Sequence, residues 1–117
     1  MSDSIILDGT PPKDGTLTAA PGNQKVTLTW AGFSDAGSGI QTYRLYYSAT
    51  GYPTAATGNK IYEGSALTFV HQGLANGKPA YYRLYAVDKA GNVSTGATAT
   101  ATPRAQLPFL ELLLLGD

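Results

Sequence analysis

A chain of 117 residues holds one domain's worth of core, and its eight Lys plus Arg balance eight Asp plus Glu with no run of either sign. Scattered, balanced charge excludes a nucleic-acid footprint and a polybasic membrane patch, and the absence of cysteine excludes a disulfide scaffold, a thiolate zinc site and a cysteine nucleophile. Abundant Gly, Ser, Thr and Ala beside 14% charged residues favours short strands and tight turns over salt-bridged helices.

Residues 1–14 read as a polar linker, because Asp8-Gly9-Thr10-Pro11-Pro12 imposes an extended path and offers no apolar face. No basic start followed by an apolar stretch occurs in residues 1–15, so the signal of an exported protein is expected outside this chain. The domain is expected over 15–104, with regular structure from about Thr16. Leu17 lies in a first short segment that ends at the turn Pro21-Gly22-Asn23. Val26, Leu28 and Trp30 follow at spacing two with Lys25, Thr27 and Thr29 between them, the pattern of a half-buried strand. Residues 33–39 (FSDAGSG) form a loop, and residues 40–48 resume period two. Tyr43, Leu45 and Tyr47 share one face of that strand, and Arg44, Tyr46 and Ser48 share the other. Residues 60–63 and 67–71 read as short edge strands, and 73–78 (GLANGK) as the next turn. Residues 80–88 place Tyr82, Leu84 and Ala86 on one face and Tyr81, Arg83, Tyr85 and Val87 on the opposite one. The turn 88–92 closes a hairpin. Residues 96–102 then alternate Ala with Thr, which gives one face small enough to lie against a second sheet, and Pro103 ends the run. Seven strands without a helix of three turns predict an all-β, antiparallel sandwich.

The order of these landmarks resembles the fibronectin type III family from Leu17 to about Pro103. The matching residues are Trp30 closing the second strand, Tyr43-x-Leu45-x-Tyr47 in the third, and Gly73-Leu74 before the sixth. Tyr82-Arg83-Leu84-Tyr85-Ala86-Val87 and Asp88-x-Ala90-Gly91-Asn92 complete the set. A Trp without the two cysteines of an immunoglobulin domain agrees with that resemblance. Two positions depart from the family pattern. The tyrosine of the corner before the sixth strand falls in register at Ala80, so the corner bond is expected to be missing unless Tyr81 or Tyr82 replaces it. His71 stands where the fifth strand usually carries an aliphatic residue, and reads as a hydrogen-bonded structural histidine. The resemblance implies a seven-stranded antiparallel β-sandwich of immunoglobulin-like topology. It also implies a non-catalytic spacer or adhesion module of a larger exported protein of bacterial type, extracellular or at the cell surface, with neighbouring domains as its partners.

One histidine, no cysteine and dispersed carboxylates provide no pairing of nucleophile and base, so the chain is expected not to be an enzyme. Arg44, Tyr46, Tyr81, Arg83 and Tyr85 fall on strands that neighbour one another in the family's second sheet. Tyr and Arg suit a protein or carbohydrate partner, whereas the structural alternative is a cross-strand ladder that shields the sheet. The family's placement of the linker and of two loops brings Asp8, Asp35, Asp88 and Asn92 to one pole, where calcium is the one cofactor with suitable oxygen chemistry. Against it stand the lack of EF-hand spacing and the ordinary role of Asp and Asn in capping turns. Asn92-Val93-Ser94 matches a glycosylation sequon.

Residues 105–117 form an apolar tail in which Leu107, Phe109, Leu110, Leu112, Leu113, Leu114 and Leu115 seek a surface. The tail is too short for a membrane span and is interrupted by Pro108 and Glu111. Folding back over the sandwich, a short helix, pairing with a sheet edge, and self-association with another copy are the ways to cover it.

Overall fold

The computed structural model describes residues 9–105, so Asp8 and the apolar residues of the tail lie outside the described residues. Seven strands follow in order: β1 (Thr16–Gly22), β2 (Lys25–Ala31), β3 (Ile40–Ser48), β4 (Asn59–Gly64), β5 (Thr68–Gln72), β6 (Ala80–Asp88) and β7 (Ala97–Ala101). They form two antiparallel sheets of order β1-β2-β5 and β4-β3-β6-β7. The connections β2–β3, β4–β5 and β5–β6 each pass from one sheet to the other, which closes a sandwich.

Period two does the work of burial. Leu17, Val26, Leu28 and Trp30 from the first sheet meet Leu45, Ala80, Tyr82 and Leu84 from the second, and all are buried. Trp30 is enclosed by the tilted rings of Tyr43 and Tyr62 at 5.9 and 6.0 Å. Ala97, Ala99 and Ala101 turn inward from β7 while Thr98 and Thr100 face water, as the alternation predicts. The short side chains let β7 lie close to β1.

Two details depart from simple alternation. Val87 belongs by parity with the outward residues of β6, yet it is buried, as are Ala86 before it and Asp88 after it. The β3–β6 register shifts between Ile40 and Thr42 beside this point, and the following segment returns through a Val87–Val93 bridge, so the strand end is covered on both sides. The segment read as linker is also docked from Pro12, which is buried. The Lys13 and Ser34 backbones exchange hydrogen bonds of 2.7 and 3.2 Å. Asp14 accepts from the Thr95 hydroxyl at 2.5 Å and the Gly96 N–H at 3.2 Å. Gly15 makes this close approach possible, because a Cβ there would stand 2.0 Å from the Ala31 carbonyl oxygen.

The chain therefore arrives at one pole, beside Ser34 and Gly96, and leaves at the other. There the Arg104 N–H donates to the Gly22 carbonyl at 3.0 Å, and the Gly77 N–H donates to the Pro103 carbonyl at 2.8 Å.

Candidate functional site

The pairing of β3 with β6 sets Arg44 opposite Tyr85, Tyr46 opposite Arg83 and Ser48 opposite Tyr81. All five residues of the Arg/Tyr set thus lie together on the outer face of the four-stranded sheet, each half-buried. Tyr46 and Tyr85, diagonal neighbours, meet edge to face at 5.6 Å. Tyr52, from the β3–β4 connection, sets its ring against Tyr81 at 5.3 Å and 82° while remaining 50% exposed. Reading by strand parity misses Tyr52, since a loop residue has no parity; its one signal in the sequence is a tyrosine next to a proline in an otherwise polar stretch.

The charges on this face are engaged within the domain. Arg83 donates from Nε to the Pro53 carbonyl at 2.7 Å and from Nη1 to the Thr95 and Gly96 carbonyls at 3.3 and 3.4 Å. Gly96, at φ 102°, lies under this side chain, and a Cβ there would stand 2.6 Å from Arg83 Cδ. Arg44 pairs with Glu63 at 3.3 Å and Lys60 pairs with it at 2.5 Å. Hydrogen bonds from Lys60 and then Arg44 hold the Glu63 carboxyl below its ordinary pKa. The face is a set of aromatic surfaces between cations whose N–H donors are already engaged within the domain, suited to stacking.

At the N-terminal pole, Asp88 and Asn92 come together, and Asp35 sits in the adjoining loop. Asp88 is fully buried, and its Oδ1 accepts from the N–H groups of Ala90 and Asn92 at 3.0 and 2.8 Å. Its Oδ2 accepts from the Asn92 side-chain amide at 3.0 Å. Both oxygens thus serve the β6–β7 turn. Asp35 Oδ2 accepts from the Gly39 N–H at 2.9 Å, and its Oδ1 is buried without a partner. Among the described residues no three acidic or histidine side chains cluster as metal ligands would. The sequon residues are built into the same turn: the Ser94 hydroxyl accepts from the buried Ala86 N–H at 2.9 Å.

His71 and Tyr82 form a polar tie between the two sheets. His71 Nδ1 lies 2.8 Å from the Tyr82 hydroxyl. Burial, aided by the neighbouring Tyr47, raises the Tyr82 pKa far above its ordinary value, so the phenol keeps its proton and shares a hydrogen bond with Nδ1. Burial lowers the His71 pKa, which favours the neutral imidazole. Tyr47 packs edge-on against the His71 ring at 4.6 Å. The Tyr82 hydroxyl thus bonds a side chain on the facing sheet and does not take over the corner bond to the upstream backbone.

A three-plus-four sandwich of this connectivity defines the fibronectin type III fold, and comparison with solved structures agrees. The sixth fibronectin type III domain of human fibronectin type III domain containing protein 3 superposes with a TM-score of 0.66 at 18% identity, over 86% of this chain and 93% of that one. A β-1,2-glucanase from Parabacteroides distasonis contains a region similar at TM-score 0.65 and 23% identity, covering 91% of this chain and 14% of the glucanase. Pectate lyase Pel3 from Pectobacterium carotovorum matches at TM-score 0.59 and 24% identity, over 81% of this chain and 28% of the lyase. No family model matches the chain, and no curated protein matches it. The chain thus has the fibronectin type III fold, and the regions it resembles in the glucanase and the lyase are parts of longer chains. Among the described residues, no helix is long and apolar enough to cross a membrane.

Proposed function

We propose that the chain is a non-catalytic spacer of a larger extracellular protein, holding its neighbouring domains apart. The observation that carries this reading is the path of the backbone, clamped at Lys13 and Asp14 on one pole and at Pro103 and Arg104 on the other. The nine-residue strands β3 and β6 run between these clamps, a span of about 30 Å at the usual rise per residue. Short backbone bonds at both ends pass force into the sandwich directly instead of through slack linkers. The similarity to regions of a glucanase and a pectate lyase supports the extracellular setting.

Spin labels on Thr10→Cys and Ala105→Cys, in a chain with no other cysteine, test the claim. A single narrow distance distribution near the strand length is expected. A broad or short distribution shows ends free of the body and refutes the spacer.

A second reading, an adhesive face for glycan or protein, is favoured by the half-exposed Tyr52 ring beside Tyr81 and by the Tyr46–Tyr85 pair. Arg83 and Arg44 weigh against it, since both already have partners within the domain. Glycan-array binding that disappears in the Tyr46→Ser/Tyr85→Ser variant establishes the adhesive face, and binding unaffected by that variant removes it.

A further inference from the structure

We infer that the C-terminal pole carries a docking groove for this chain's own apolar tail. This inference stands apart from the spacer reading, because it concerns what covers the pole rather than what the module connects. The groove is a cavity of about 390 Å³ lined by Tyr47 and Ala49 at the end of β3, by Leu74, Ala75 and Lys78 of the β5–β6 connection, and by Pro79 leading into β6. Its walls are mostly apolar, and it lies where β3 ends and β6 begins.

Three observations select the occupant. The chain leaves beside the groove, since Pro103 accepts from Gly77, the residue before Lys78 on the rim. From Arg104, anchored to Gly22, three residues lead to Leu107 and five to Phe109, about 10 and 17 Å of extended chain starting from an anchor next to Pro103 and Gly77. The charges also match. Lys78 lines the groove and Lys25 and Arg104 flank the Gly22 turn at the same pole, whereas the acids among the described residues lie elsewhere: Asp14, Asp35 and Asp88 at the far pole, and Glu63 on the sheet face. The tail carries Glu111 and Asp117 and no base. An apolar segment with acidic punctuation, starting within a few residues of an apolar groove at a cationic pole, meets its complement with little loop entropy to overcome.

Leu107 and Phe109 are the side chains expected in the groove, and Glu111 is the carboxylate expected toward the cations. A second copy of the chain is the competing occupant, and disulfide trapping in the full chain separates the two. Ala75→Cys combined with Phe109→Cys is expected to close a disulfide within one chain, about tenfold faster than the pair Thr98→Cys with Phe109→Cys on the outer sheet face. Disulfide-linked dimers as the main product, or equal rates for the two pairs, overturn the inference. Hydrogen exchange gives a second reading without engineered cysteines. In the Leu107→Ser/Phe109→Ser variant, amides of residues 74–80 are expected to exchange about tenfold faster while β2 and β3 stay protected. Unchanged exchange at 74–80 overturns it as well.

Discussion

The bond between His71 and Tyr82 allows a sharp test of how the two sheets are held together. Tyr82→Phe removes a hydroxyl from a fully buried ring and leaves the ring in place, so the change isolates the 2.8 Å hydrogen bond. Loss of the bond, with the imidazole nitrogen left short of its partner, is expected to destabilise the domain by about 1–2 kcal/mol. In a domain of this size that is about 4–16 °C in melting temperature. His71→Val has a larger effect, about 2–3 kcal/mol, because it strands the phenol hydroxyl in the core. It also removes the ring that Tyr47 packs against. The double variant replaces both polar partners with apolar groups and is expected to lose less than the sum, with a coupling of about 1–2 kcal/mol in urea or thermal unfolding. The same pair predicts a pH dependence. Burial places the folded His71 pKa below its ordinary 6.5, so the unfolded chain binds the proton first as pH falls. The His71 contribution is therefore full above about pH 6.5 and declines on acidification toward the folded value, and His71→Val lacks this slope. Additivity of the two substitutions within about 0.5 kcal/mol would refute the bond as the tie between sheets. Stability in the native chain that rises as pH drops from 7 toward 5, relative to His71→Val, would refute the protonation argument.

Two further substitutions probe the poles. Asp88→Ala strips the β6–β7 turn of the acceptor for three N–H donors and is expected to destabilise the domain by about 3 kcal/mol or more, with Asp88→Asn milder, as read by chemical denaturation. Gly15→Ala drives a methyl group into the Ala31 carbonyl and is expected to lower stability by about 2 kcal/mol, while freeing Lys13 and Asp14 to fast hydrogen exchange; unchanged exchange there would mean that the docked segment does not depend on this contact.

The strands were legible because burial on one side of a pleated chain writes itself as period two. Val26, Leu28 and Trp30, or Tyr82, Leu84 and Ala86, can be sorted inward without knowing what they face. The Arg/Tyr set was legible only in part for the same reason: parity places those side chains on one face of each strand, whereas the pairing of β3 with β6, which β4 and β5 separate in the chain, was expected from the resemblance to the fibronectin type III family. Parity failed where alternation was broken, at Val87 beside a register shift. It was silent for Tyr52, which reaches Tyr81 from a loop.

From its order of residues alone this protein is an all-β sandwich with a known inner and outer face, because alternation and turn chemistry are local and each segment carries its own instructions. Partners distant in the chain were decided by the assembled fold. Asp14 meets Gly96 across 82 positions, and His71 meets Tyr82 across the gap between sheets. The three carbonyls that hold Arg83 come from two separate loops. Hydrogen-bond partners of that kind depend on distances that exist after the sheets have stacked, and no local period encodes them.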